Sequence, residues 1–192
     1  SVFVSWRVEN KMRLIYITSI TLPSYRANRV QITSMARAWT KFLGDDFVLG
    51  VGSANETFLR NVNFIVMGEN IRSYKLAWEY LKYIKRNKFT HIYCREEKML
   101  LFMIVWNRIF FRMPLKFCYE LHHLVYMDVW WHKFLLNNVD YVISLTGAMR
   151  DVLIRNEYPN NCVLVAPDAV DISLFGNVVS KNEARRKLTL PL

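Results

Sequence analysis

Glycine is scarce in this chain, six in 192 residues, and proline is scarcer, at five. A chain that stays unfolded or forms low-complexity repeats carries more of both and fewer apolar residues. Here 53% of positions are hydrophobic, so a packed core is expected. Cysteine is rare as well. Cys94, Cys118 and Cys162 are odd in number, far apart and without a C-x-x-C pair. That excludes a disulfide framework and a zinc knuckle, and leaves buried, reduced thiols of a cytosolic protein as the expectation. Long apolar runs are missing too. The longest, Met99–Trp106, has eight residues, against about 20 for a membrane-spanning helix. The opening Ser1–Lys11 has charges inside it and no small-residue cleavage site, so it does not read as a signal peptide. Residues 1–11 read as a lead-in segment, with Met12 a plausible natural start.

Acidic residues are the scarce charge. Sixteen Asp and Glu face 26 Lys and Arg, for a net charge of +10. A basic surface attracts nucleic acid, anionic lipid headgroups or phosphorylated ligands. No helix-turn-helix, RNA-recognition motif or zinc finger is visible, so nucleic acid is not the expected partner.

The apolar residues are arranged in two alternating patterns. Leu14–Ser19, Phe47–Val51, Phe64–Met67, His91–Cys94, Lys116–Glu120, Tyr141–Leu145 and Cys162–Ala166 are short apolar runs that read as buried strands. Between them, Asn28–Phe42, Ser73–Lys85, Glu97–Arg112, Tyr126–Asn137 and Ala148–Asn156 read as helices, and Lys181–Leu188 as a short final one. Strands that are continuous apolar runs, alternating with helices, predict an α/β domain: a doubly wound, mostly parallel sheet with helices on both faces, Rossmann-like in build. Ligands of such sheets bind outside the carboxyl ends of the strands, so the residues following each strand are the candidates.

After the first strand, Ala27 and Asn28 precede a helix whose free N–H groups could bind an anion. The competing reading is an ordinary loop with Asn28 as N-cap. No G-x-G-x-x-G is present, so a dinucleotide site is not expected. After the fourth strand, Arg95 could clamp a phosphate or carboxylate. Alternatively Arg95, Glu96 and Glu97 are a solvated charge run, with the acids complementing the next helix. After the fifth strand come Glu120, His122 and His123. A carboxylate and an imidazole there suit catalysis or substrate orientation. Adjacent histidines on extended backbone point to opposite sides, so at most one faces the cleft. No spacing suits a metal. Thr146 follows the sixth strand, and Pro167, Asp168 and Asp171 follow the seventh, where an Asx turn is the competing reading.

These segments together resemble the N-terminal half of family-4 glycosyltransferases of the GT-B fold. Asn161–Phe175 (NCVLVAPDAVDISLF) is similar to the segment that closes that half. Val139–Ile154, Cys118–His122 (CYELH), Ile92–Glu96 (IYCRE) and Pro23–Ala38 resemble earlier segments in the same order. The likeness covers Arg13–Leu192. The usual double glycine of the first loop is replaced by Ala27 and Asn28, and Ala169 replaces a frequent glycine of the tail.

The resemblance implies retaining transfer from a nucleotide sugar, a UDP- or GDP-sugar, to a cell-envelope glycan or lipid-linked acceptor, without metal. It implies a domain over residues 12–176, with 177–192 beginning a linker towards a C-terminal half. That half would supply the nucleotide-sugar site and an E-x7-E motif, neither of which occurs in these 192 residues, so this piece alone should turn over little. By the same resemblance His122 lies near the transferred sugar. Ala27 and Asn28 present backbone to acceptor or phosphate, Arg95 and Glu120 frame the acceptor pocket, and Thr146 faces the cleft. A cytoplasmic location, peripheral on the inner membrane face, would use the basic charge: Lys75, Lys82, Lys85, Arg86 and Lys88 could meet anionic headgroups. The apolar stretch Met99–Phe111, with Trp106, Phe110 and Phe111, is either a second contact or core. A non-catalytic module of the same fold, binding sugar or anionic lipid, is the alternative function.

Overall fold

The computed structural model describes residues 12–23, 27–55, 57–124, 128–158, 162–167 and 179–191, with the side chains of Ala27 and Asn28 left aside. Strands β1 (Leu14–Ile17), β3 (Phe47–Val51), β5 (Phe64–Val66), β6 (His91–Cys94), β7 (Lys116–Leu121), β8 (Tyr141–Ser144) and β9 (Val163–Val165) form one sheet in the order β5-β3-β1-β6-β7-β8-β9. Every pairing is parallel. The order runs outward in one direction from β1 to β5 and in the other from β6 to β9, so the topology reverses between β1 and β6. All seven expected strands are present. Two further pieces, β2 (Thr21–Leu22) and β4 (Ser53–Ala54), pair in parallel beyond the ends of β1 and β3. At two residues each they are too short to leave a periodic signal.

Alternate strand residues serve different cores, as the pleat requires. Ile15, Ile17, Ile92, Cys94, Phe117, Tyr119, Leu121 and Val142 pack against the buried faces of α2 (Ser73–Asn87), α3 (Glu97–Trp106), α4 (Trp130–Leu136) and α5 (Gly147–Arg155). Leu14, Tyr16, Phe47, Leu49, Val51, Tyr93 and Ile143 pack on the other side, against Ile32 and Ala36 of α1 (Ala27–Leu43). Each such fully buried aliphatic or aromatic side chain contributes about 1.5–3 kcal/mol. A short helix, α6 (Lys181–Lys187), buries none of its residues.

Three expectations need correction. The helix expected over Glu97–Arg112 is α-helical only to Trp106 and continues as a π-helical turn, Asn107–Phe111. The Arg112 N–H reaches back five residues to the Asn107 carbonyl. The buried Asn107 side chain closes the turn, donating to the Met113 carbonyl at 3.0 Å and accepting from its N–H at 3.0 Å. The helix expected over Tyr126–Asn137 begins at Trp130, with Val129 extended at its cap; residues 125–127 lie outside the described set. Asn28 is the second residue of α1, not its cap. The lead-in 1–11 and most of the tail motif, residues 168–175, also lie outside the described residues.

Two glycines set how closely the chain packs at the carboxyl end of β1. A Cβ on Gly50 would lie 2.4 Å from the Tyr80 ring, and one on Gly52 would lie 2.4 Å from the Ser19 carbonyl oxygen. Because Gly50 leaves room, the Tyr80 hydroxyl reaches the Thr18 carbonyl at 3.0 Å and ties α2 to the end of β1. Because Gly52 leaves room, its N–H and that of Ser53 both reach the Ile20 carbonyl. The segment Thr18–Leu22 is thereby pinned across the top of the sheet.

Candidate functional site

The reversal between β1 and β6 opens a crevice at the carboxyl ends of these strands, where doubly wound sheets place their ligands. Two side-chain clusters stand there. The first is built on Glu96, just past β6. Its carboxylate accepts from the Thr18 hydroxyl at 2.8 Å, the Ser19 N–H at 2.6 Å and the Ser19 hydroxyl at 2.7 Å. Glu96 occupies the N-cap position of α3 but makes no side-chain cap bond. The reading of Glu96 as a solvated helix-capping charge is therefore wrong: its side chain crosses the switch point and clasps the end of β1.

The second cluster joins α1, β6 and β7. Glu120 lies on the α1 side of β7 and is 1% exposed. A carboxylate so deeply buried needs compensating donors. His122 Nε2 stands 2.5 Å from its Oε1, and the Gln31 amide donates to the same oxygen at 3.4 Å. The Tyr93 ring, from β6, lies beside it and packs edge-on to Tyr16 at 4.9 Å. Burial pushes the Glu120 carboxyl up, but the hydrogen bonds from His122 and Tyr93 and the nearby Arg95 charge outweigh it and hold the group below its ordinary value. Burial drives the Tyr16 and Tyr93 hydroxyls well above their usual range, so both stay protonated.

Arg95 completes the ring. Its Nη1 donates to Gln31 Oε1 at 3.2 Å, and its Nη2 stands 3.2 Å from His122 Nδ1. A guanidinium only donates, so Nδ1 must be the accepting nitrogen and the His122 proton sits on Nε2, facing Glu120. Both imidazole nitrogens are thus engaged. In this geometry His122 is a held donor at the crevice wall rather than a base with a free lone pair.

The structure brings His122, Glu120 and Arg95 together and adds Gln31 to their ring, with Glu96, Thr18 and Ser19 in the neighbouring cluster. Gln31 lies one turn into α1, inside the segment Pro23–Ala38 that carries part of the family resemblance. His123 is exposed, its ring 6.3 Å from that of His122 and tilted away, so one histidine of the pair joins the cluster. The Thr146 hydroxyl is taken up in capping α5, accepting from the Met149 N–H at 3.2 Å. The backbone of Ala27 and Asn28 opens α1; residues 24–26 before it are not described. Lys75, Lys82, Lys85, Arg86 and Lys88 are all exposed on or just after α2. The three cysteines are free thiols. Among the described residues no three His, Cys, Asp or Glu side chains are grouped to hold a metal ion, and no helix is long and apolar enough to cross a membrane. An apolar cavity of about 140 Å³, lined by Trp39, Tyr93, Cys118, Tyr141 and Ile143 among others, lies on the α1 side of the sheet, apart from the Glu96 clasp.

A parallel seven-stranded sheet with this strand order and a polar cluster at its switch point defines a Rossmann-like domain of the kind found in GT-B proteins. The model of Glycosyltransferase Family 4 matches residues 24–174, and the chain belongs to that family. No curated protein sequence matches. Among solved structures, Anabaena Alr3699/HepE in complex with UDP is similar over 93% of this chain and 50% of its own, with a TM-score of 0.64 and 16% identity. The lipopolysaccharide outer core galactosyltransferase WaaB is similar over 84% of this chain and 47% of its own, with a TM-score of 0.63 and 10% identity. UDP-N-acetylglucosamine 2-epimerase from Rickettsia bellii is similar over 94% and 52%, with a TM-score of 0.63 and 13% identity. The chain spans about half the length of the solved structures it matches.

Proposed function

We propose that this chain is the acceptor-side domain of a retaining glycosyltransferase that moves a hexose from a UDP- or GDP-sugar to a cell-envelope glycan or lipid-linked acceptor, on the cytoplasmic face of the membrane. The observation that carries the reading is the ring of Arg95, Gln31, Glu120 and His122 at the switch point, in a chain that belongs to Glycosyltransferase Family 4. The fold alone does not separate transfer from epimerisation, since a UDP-N-acetylglucosamine 2-epimerase shares it; the family match favours transfer. HepE was solved with UDP-glucose, which makes a uridine diphosphate sugar the first donor to test.

The ring's charges suit an acceptor hydroxyl. The charges of Arg95 and Glu120 offset one another, so the wall offers directed donors and acceptors without a strong net field. Such a wall orients neutral sugar hydroxyls better than it captures a polyanion. In the proposed step the acceptor oxygen bonds the anomeric carbon as that carbon's bond to the nucleoside diphosphate breaks on the same face, and the acceptor's proton passes to the departing diphosphate oxygen; fixed orientation of the acceptor supplies much of the barrier reduction. Residues 12–176 would form this domain and 177–192 the start of a linker, with the donor held by a second domain. In a protein that carries both halves, His122→Ala should lower kcat with UDP-glucose at least about tenfold, as expected for loss of an orienting hydrogen bond in the transition state, with circular dichroism of a folded protein and a thermal melt lowered because Glu120 loses a donor. Turnover equal to the parent protein's would sink the assignment.

A further inference from the structure

Arg95 and Glu96 are neighbours in the chain, yet each belongs to a different cluster. The backbone is extended at Glu96, with φ −97° and ψ 103°, so consecutive side chains leave on opposite sides. Arg95 turns to Gln31 and His122, and Glu96 turns to Thr18 and Ser19. The backbone between them is itself held. The Glu96 N–H donates to Cys94 Sγ at 3.4 Å, and the Cys94 thiol donates to the Glu96 carbonyl at 3.6 Å. Cys94 is fully buried, so this end of β6 is anchored in the core.

The two side chains grip one connection at its two ends. The register of β1 against β6 ends with Ile17 beside Cys94. Past that pair the chain runs through Thr18–Leu22 and enters α1 at Ala27. Glu96 holds the start of this connection through three hydrogen bonds of 2.6–2.8 Å. A carboxylate can do so because it accepts through both oxygens. Arg95 holds α1 at the far end, through Gln31 at 3.2 Å. The same segment is tied to β3 and α2, since the Thr18 N–H donates to the Gly50 carbonyl at 3.0 Å and the Tyr80 hydroxyl to the Thr18 carbonyl at 3.0 Å. Glu96 joins that fixed segment to β6.

We propose that Glu96 is a positioning residue of the transfer reaction: by bridging β1 and β6 past the end of their ladder, it sets where α1 stands and so holds the ring of Arg95, Gln31, Glu120 and His122 in the geometry that orients the acceptor. Glu96 acts through Ser19 and Arg95 and does not itself touch substrate. A displacement of about 1 Å in an orienting group can cost about a hundredfold in rate, so a carboxylate outside the ring has leverage on turnover. The kinetic consequence rests on the transferase reading. The geometric consequence, a ring that loosens when the clasp is cut, does not.

The first test uses the 192-residue chain and nitrogen-15 NMR of its four histidines. In Glu96→Ala the His122 Nδ1 and Nε2 signals should move, while those of His91 and His132, outside both clusters, stay. In Glu96→Gln, whose carbonyl still accepts from Thr18 and Ser19, the His122 signals should match the parent. In a protein that carries both halves, Glu96→Ala should lower kcat with UDP-glucose about tenfold or more, with KM for UDP-glucose within about twofold of the parent. Glu96→Gln should restore most of that rate. Ile84→Val, a buried change near the C-terminus of α2, lowers the melt without reaching either cluster and should leave kcat at the parental value. The proposal is overturned if the His122 signals stay put in folded Glu96→Ala, if that variant turns over UDP-glucose like the parent, if Glu96→Gln is as slow as Glu96→Ala, or if Ile84→Val is equally slow. A parent protein that turns over no UDP-glucose fails the transferase reading instead, and the His122 signals then decide this proposal.

Discussion

Glu96→Ala is the sharpest single perturbation. The carboxylate receives three hydrogen bonds, from the Thr18 hydroxyl, the Ser19 N–H and the Ser19 hydroxyl, all at 2.6–2.8 Å. A hydrogen bond to a charged group contributes about 1.5–3 kcal/mol, but these are not additive, and Ser19 is exposed, so water replaces part of what is lost. Thr18 is fully buried and its hydroxyl has less access to water. The net cost of Glu96→Ala should be about 2 kcal/mol, which for a chain of this length lowers the melting temperature by about 4–8 °C. Glu96→Gln should cost about half as much. Its carbonyl oxygen still accepts from Thr18 and the Ser19 N–H, its amide can donate to the Ser19 oxygen, and only the charge is lost. Urea unfolding of the three proteins measures the ordering, and hydrogen exchange at the Ser19 amide gives a local readout that should speed up in Glu96→Ala. The reasoning is refuted if Glu96→Ala lies within about 0.5 kcal/mol of the parent and the Ser19 amide exchanges at the parental rate.

Two further outcomes follow from the same region. Glu120 is held below its ordinary value in the fold, so its stabilising contribution is fully present above the unfolded carboxyl pKa of about 4.3 and is lost as pH falls through the lower folded value; urea midpoints measured from about pH 6 to pH 3 should fall less steeply for Glu120→Gln than for the parent. Gly52→Ala places a Cβ 2.4 Å from the Ser19 carbonyl oxygen, a backbone atom that is not free to swing aside, and should cost about 1–3 kcal/mol in urea unfolding; a neutral result would show that Thr18–Leu22 is not pinned as described.

The particular residues show where sequence reasoning succeeded. Strands β3 and β6 begin and end at the residues expected, because Phe47–Val51 and His91–Cys94 are apolar runs bounded by breaks in the pattern. His122, Glu120 and Arg95 meet because each lies at or just past the carboxyl end of a buried strand, and parallel sheets gather such positions at one edge. Glu96 was misread because local sequence offered a complete explanation, an acid at a helix start. Its true partners, Thr18 and Ser19, are more than seventy residues away.

The sequence by itself determined the α/β class, the seven strands of the main sheet, and which residues stand at the strand ends, since hydrophobic runs and breaks are local properties of the chain. Only the tertiary structure decided that β1 lies between β3 and β6. That placement opens the crevice there, brings Gln31 of α1 onto Glu120 and turns Glu96 from a helix charge into a clasp. It also decided that Met103 and Ile104 are core while Ile109 and Phe110 are surface, although all four lie in one apolar stretch. The physical reason is the same in each case: a side chain's role depends on what the rest of the chain packs against it, and strand order and a single π turn set that, neither of which leaves a periodic mark in the sequence.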